Sequence, residues 1–571
     1  LISTLMLCAG VGFCRDPAPA VGFAFPDAIR VWREKAVVTV PLLVDAPGDA
    51  VVVRLELVNL SGDLAEAHTF GGTGRGEVVI SLVPRRPGWY RLRAVVLQNE
   101  QEIAAAATPI AILPDPDTDR TDTAALRNPF GVCVHFGRPA YDRPETRRLL
   151  VLSGIRWVRD NLYWGEVEKE AAGAYTLPER ETWNMRALRE EGIRTLAILG
   201  FGNPWYDHAA PEAVLPFERC CEWIARELAG TVDHFEIWNE PNAFGRLTEE
   251  LYPPILKAGY RGVKRGNAEA FVVGIGGASP GGWSAHYIVG GIYPQDAVGF
   301  MDSFSIHPYC SPWAPETGYN ALGAPAPLAC LAMGDHLTAG LPQRIQEFKG
   351  LAEPPGMWIT ELGWPVAEAV PLDLEHEPEQ SEVLPPGQAQ FAARAFLFAA
   401  AHPELFERCF FYEFVTTPGA EPRFGLLHED LSPRPAFVAA AVAANTVADR
   451  PFLRRIGHPD DRVHLYVFGP EDEPLLVGWI TETSPAQKIR EPDAGLGKAG
   501  SAEGVSLGVR VPVAGGAARL SDWQGRRHAA IVVDGHLHLN LTTWPQYVRG
   551  LVPGVADHSG GHHGGQQAGA Q

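Results

Sequence analysis

Between residues 128 and 445, short apolar runs alternate with amphipathic helical stretches, and this rhythm constrains the fold more than any other feature. The runs lie at 130–136, 155–160, 195–199, 235–240, 271–275, 303–307, 357–361 and 409–414, with helix-like pieces such as 187–191 and 217–228 between them. Eight strands with intervening helices over roughly 320 residues are what a (β/α)8 barrel with loop insertions gives. Chemistry in such a barrel sits at the C-terminal strand ends.

The 571 residues exceed what one core usually organises, so flanking domains are expected. Stretches such as Val37-Val38-Thr39-Val40 and Val51-Val52-Val53-Arg54-Leu55 have strand composition. They predict an N-terminal β-sandwich of Ig-like type over 24–118, ahead of an α/β TIM barrel over 119–447. A second alternating region, including Val463-His464-Leu465-Tyr466-Val467-Phe468, predicts a C-terminal β-sandwich over 448–553. The Gly- and His-rich stretch 554–571 reads as a disordered tail. Residues 1–23 read as the remnant of a secretory signal, with Ala18-Pro19-Ala20 as a small-residue cleavage site, or else as an apolar N-terminal segment. The first reading places the protein outside the cell or in a periplasm. The run is too short to span a bilayer.

Net charge is −20, with 68 acidic against 48 basic residues, which argues against nucleic acid or an anionic membrane as partner. A neutral or weakly charged ligand fits better. The eight cysteines show no CxxC spacing, so structural zinc is not expected. Cys310 and Cys330 fall in one long loop and would suit a disulfide if the chain is exported. Oligomeric state is not legible in the sequence.

Two carboxylates stand out within the barrel. Trp238-Asn239-Glu240-Pro241-Asn242 and Trp358-Ile359-Thr360-Glu361-Leu362-Gly363-Trp364-Pro365 each place a glutamate where an apolar run is broken by a proline. Only a closed barrel would bring two such distant groups across one pocket. A pair of this kind can cut a glycosidic bond with retention of configuration when the carboxyls are about 5–5.5 Å apart, whereas inversion needs about 6.5–9.5 Å.

These motifs, with Gly154-Ile155-Arg156-Trp157-Val158-Arg159, Ser305-Ile306-His307-Pro308-Tyr309 and Arg423-Phe424-Gly425-Leu426-Leu427, resemble clan A of the glycoside hydrolases. Within it, the chain resembles family 39 and related exopolysaccharide hydrolases. The resemblance implies Glu240 as acid/base and Glu361 as nucleophile of a retaining enzyme acting on β-type linkages in poly- or oligosaccharides. Arg159 would hold Glu361 ionised, and Asn239 would meet the sugar 2-hydroxyl. Strict strand alternation puts Asn239 and Glu240 on opposite faces, so a distortion is expected at that strand end. His307 and Tyr309 would orient the nucleophile or touch the first sugar, with Tyr309 donating to Glu361. His135 would contact a hydroxyl. Glu413 stands where the clan often carries an aromatic platform and would bind hydroxyls instead. Trp164, Trp205 and Trp364 are candidate stacking platforms, each equally compatible with core packing. Glu236, on the same run as Glu240, reads as a buried ion-pair member.

No phosphate loop or HExxH zinc motif occurs, and the chemistry calls for no metal or organic cofactor. A transglycosylase using the same site and a non-catalytic carbohydrate-binding protein on the same fold are the alternatives.

Overall fold

The computed structural model describes residues 19–47, 51–72, 74–116, 128–139, 141–241, 247–248, 250–278, 296–312, 314–316, 357–367, 382–404, 406–417, 423–482, 505–514, 518–550 and 552–553. The signal-like start up to residue 18, Cys330 and the 554–571 tail lie outside them. Cys310 is fully buried. No helix among the described residues is long and apolar enough to cross a membrane.

A first compact unit takes in the described residues up to Asp27, then Lys35–Pro84 and Tyr90–Ile110. In it, Val38–Asp45 pairs antiparallel with Ala20–Phe23 and Arg75–Leu82. Val51–Val58 lies between Leu64–Gly72 and Gly88–Gln98 in a second sheet. Alternation explains this pairing: Val38, Val40 and Leu42 on one sheet and Val53, Leu55 and Leu57 on the other are fully buried, while Thr39 and Val52 between them are exposed.

The second unit contains the barrel. Its strands are β1 (Phe130–Cys133), β2 (Trp157–Tyr163), β3 (Arg194–Gly200), β4 (His234–Ile237), β5 (Phe271–Ala278), β6 (Ser303–His307), β7 (Met357–Leu362) and β8 (Phe406–Phe411). They pair in parallel and close, with β8 joined to β1. The described helices around them are α1 (Pro144–Ser153), the short α2 (Trp164–Val167), α3 (Glu179–Glu190), α4 (Val214–Glu227), α5 (Tyr252–Gly266), α6 (Pro385–Ala400) and α7 (Pro435–Val447). The barrel interior is packed: Cys133, Trp157, Leu196, Val273, Trp358 and Phe410 form one buried cluster, with the Trp157 and Trp358 rings edge to face at 5.5 Å. This layer closes the barrel beneath the strand ends, so any ligand must bind above it.

C-terminal to the barrel, a six-stranded sheet containing Val463–Phe468 and Leu475–Ile480 packs on a four-stranded sheet containing Leu507–Ala514 and His536–Leu541. Val463, Leu465, Val467, Leu476, Val511, Leu537 and Leu539 share one core. A buried ion pair fixes this sandwich to the barrel. Arg394 of α6 donates from Nε and Nη2 to both oxygens of Glu316, at 2.9 and 2.7 Å, and Trp479 of the sandwich donates to Glu316 Oε1 at 2.7 Å. Burial pushes the Glu316 carboxyl up, but Arg394 outweighs it and holds the group below its usual value. Arg394→Met should therefore destabilise the protein by about 3–5 kcal/mol at neutral pH in urea unfolding, because Glu316 is left buried and uncompensated. The pair stabilises above the unfolded glutamate pKa and weakens as pH falls through the lower folded one, so the penalty should shrink in acid. An equal penalty in acid and at neutrality would show that charge plays no part.

Candidate active site

Arg159, on the inward face of β2, organises the strand ends. Its Nε donates to Glu236 Oε2 at 2.6 Å, Nη1 to Glu361 Oε1 at 2.5 Å and Nη2 to Asn239 Oδ1 at 2.7 Å. A guanidinium suits this position because its rigid fork reaches three acceptors on two strands at once. Burial opposes its charge, yet Glu236 and Glu361 hold its pKa well above that of an ordinary arginine. Glu236, fully buried, also accepts from Ser305 Oγ at 2.7 Å and Thr360 Oγ1 at 2.8 Å.

Local backbone irregularities aim the glutamates. Strand β4 ends at Ile237, and Trp238 and Glu240 then adopt positive φ values of 73° and 44°. Such values are costly for side chains with a Cβ and persist only where surroundings impose them. Here the Trp238 N–H still bonds the Leu199 carbonyl and the Glu240 N–H bonds the Gly276 carbonyl. This is the distortion expected from the sequence, and it lets Asn239 reach Arg159 while Glu240 reaches His307. On β7 the register shifts between Ile359 and Leu362, so the neighbours Thr360 and Glu361 both face the same cluster. Gly363 follows because a Cβ there would collide with the Tyr412 carbonyl oxygen.

Glu240 and Glu361 are only 6% and 8% exposed. One oxygen of each and a nitrogen of His307 all lie within 4.8 Å of one another. His307 Nδ1 is 2.8 Å from Glu240 Oε1, and its Nε2 is 3.1 Å from Thr360 Oγ1. The Thr360 hydroxyl donates to Glu236, so it must accept from the His307 Nε2–H. A single proton is then shared between His307 Nδ1 and Glu240. Tyr309 donates to Glu361 Oε2 at 2.8 Å, which leaves Arg159 on one oxygen of Glu361 and Tyr309 on the other. Burial raises the Glu361 pKa, but the His307 and Arg159 charges and the Tyr309 hydrogen bond bring it below the usual carboxylate value. Burial lowers that of His307, and the two glutamates more than restore it. Among the described residues, Glu240, His307 and Glu361 are the cluster that a metal ion would need. The Arg159 guanidinium on Glu361 already supplies the positive charge there, so the donor set does not suit a cation.

Other sequence candidates fall elsewhere. His135 is half-buried, accepts from Asn161 Nδ2 at 3.2 Å and packs edge-on against Tyr412. Burial, reinforced by Arg138, lowers its pKa to about 3. Glu413 is buried, accepts from Tyr141 Oη at 3.0 Å and is bonded by Thr417. The aromatic at this strand end is Tyr412, which meets Tyr309 edge-on at 6.4 Å and which the sequence reading passed over. Trp164 and Trp364 are core residues and not platforms. The first stacks on Tyr206 and donates to Glu168, and the second packs on Phe391 and Phe411. Trp205 keeps an exposed face while its indole N–H donates to the Glu168 carbonyl.

No protein-family model and no curated protein matches the sequence. Among solved structures, the chain is similar to a family 39 glycoside hydrolase from the gut symbiont Bacteroides cellulosilyticus, at 26% identity and a TM-score of 0.70, over 91% of this chain and 99% of that one. A glucosidase from Croceicoccus marinus is more distant, at 15% identity and a TM-score of 0.49 over 74% of this chain and 96% of that one. A family 30 endoxylanase from Clostridium papyrosolvens stands at 12% and 0.47, over 74% and 96%. The resemblance to family 39 thus holds along nearly the whole chain.

Proposed function

We propose that this protein is a retaining glycoside hydrolase that cleaves β-type linkages in poly- or oligosaccharides through a covalent glycosyl-enzyme. The observation that carries the reading is the closeness of Glu240 and Glu361, an oxygen of each lying within 4.8 Å of the other beside His307. That closeness favours the short spacing of a retaining pair, in which a carboxylate attacks directly, over the wider spacing of an inverting pair.

In the first step Glu361 attacks the anomeric carbon while Glu240 gives its proton to the glycosidic oxygen, and the C–O bond to the leaving sugar breaks. The proton shared with His307 is held within reach of that oxygen. Arg159 and Tyr309 keep Glu361 ionised and fixed in orientation, so little reorganisation is needed on attack. Asn239 spends its Oδ1 on Arg159 and retains its amide N–H groups for a sugar hydroxyl. In the second step Glu240 takes a proton from water, the oxygen of which displaces Glu361 from the anomeric carbon.

Proton NMR of the first product formed from an aryl β-glycoside tests this. The β-anomer should appear before mutarotation, and the α-anomer as first product would overturn the assignment.

A further inference from the structure

A cavity of about 1080 Å³ opens over the loops that follow β1, β2 and β3, and neither Glu240 nor Glu361 lines it. His135 and Asn161 form its near wall. Asn161 follows Arg159 by two positions on β2, so both side chains share the inward face: Arg159 bonds Glu361, and Asn161 stands one pleat farther out. The cavity thus abuts the outer end of the strand that carries Arg159. Its far wall is the start of α3, where Trp183 is 51% exposed. The Arg147 guanidinium covers one face of that indole, 4.0 Å from the ring centre, and the other face is left for a ligand.

The volume is too large for one sugar ring, since pockets of about 300–1,000 Å³ already hold drug-sized ligands. Its charges also constrain the occupant. Five carboxyl groups line the cavity, those of Asp142, Asp160, Glu166, Glu179 and Glu181, against two guanidiniums, Arg138 and Arg180, and Arg180 pairs with Asp142 at 3.0 Å. Carboxylates outnumber cations, which disfavours an anionic ligand.

We propose that this cavity is a second sugar-binding site that holds neutral units of the substrate beyond the one being cleaved, with Trp183 as its stacking platform. The inference rests on the glycosidase reading and narrows it to neutral chains longer than a disaccharide.

Neutral β-linked gluco-, xylo- and manno-oligosaccharides of two to five units, assayed for released reducing ends, provide the test. In the series that is cleaved, kcat/KM should rise with length. Trp183→Ala should lower the ratio of four-unit to two-unit kcat/KM roughly tenfold, and Trp183→Phe should keep most of it. A chain carrying a uronate should be slower than its neutral counterpart. An unchanged ratio in Trp183→Ala, or a preference for the uronate chain, overturns the proposal. Calorimetric titration of Glu361→Gln with the same oligosaccharides separates the two readings. Trp183-dependent binding without turnover by the wild type would keep the cavity assignment and remove the hydrolase. Turnover by the wild type with binding indifferent to Trp183 would do the reverse.

Discussion

Glu361→Gln should lower kcat on an aryl β-glycoside by at least ~10⁴-fold, because a neutral amide cannot displace the leaving group and nothing else within the cluster can take its place. Glu240→Ala should behave differently. A p-nitrophenolate leaves without protonation, so the first step loses little and the second, which needs a base to activate water, becomes limiting; on an unactivated disaccharide the loss should approach ~10⁴-fold. Azide separates the roles further. It should rescue Glu361→Ala by attacking the anomeric carbon directly, giving a glycosyl azide of inverted configuration. In Glu240→Ala it should intercept the glycosyl-enzyme and give the retained azide. Circular dichroism must show both variants folded. If either glutamate variant turned over at wild-type rate, or the two azides came out with configurations exchanged, the role assignment would fail.

The barrel was legible because its strands are continuous apolar runs, and the glutamates stood out because a proline cuts each run just beyond them. What sequence cannot give is where a side chain points once a strand has ended. Strand β8 stops at Phe411, and alternation beyond it does not choose between Tyr412 and Glu413; the carboxylate drew attention, yet it is Tyr412 that packs beside Tyr309. On β7 the register shift brings Thr360 and Glu361 into one cluster, where unbroken pleating would have separated them. Trp164 and Trp364 are conspicuous in sequence because they follow strand ends, but their surroundings are aromatic and close over them. Trp183 drew no notice because it lies among charged residues on the outer part of a helix, and its partner Arg147 belongs to another helix. A pattern of period 3.6 reports which face of a helix is apolar; it does not report that a loop has left space beside the polar face.

Arg159→Met should cost both stability and activity, and the two losses can be separated. Its guanidinium is 3% exposed and serves two buried carboxylates and an amide, so removal leaves Glu236 and Glu361 without their shared counter-ion. Breaking a buried pair from one side costs about 3–5 kcal/mol, which urea unfolding would measure. Arg159→Lys should recover only part of this, since an ammonium is a point charge and cannot span three acceptors on two strands. Activity responds through Glu361. In the wild type its pKa lies below the ordinary glutamate value of 4.5, so the acid limb of kcat/KM should fall below pH 4.5, as the nucleophile is lost only when pH drops through the lowered value. Without Arg159, burial is opposed by His307 and Tyr309 alone, and the acid limb should move upward. Arg159→Met combined with Glu236→Leu removes both charges of the deepest pair and should regain much of the stability, because an apolar pair of similar volume can replace a buried ion pair. It should regain no activity, because Glu361 and Asn239 still lack the group that fixes them. Recovery of turnover in that double variant, or an acid limb that stays where the wild type has it, would mean that Arg159 supports the fold and leaves the nucleophile untouched.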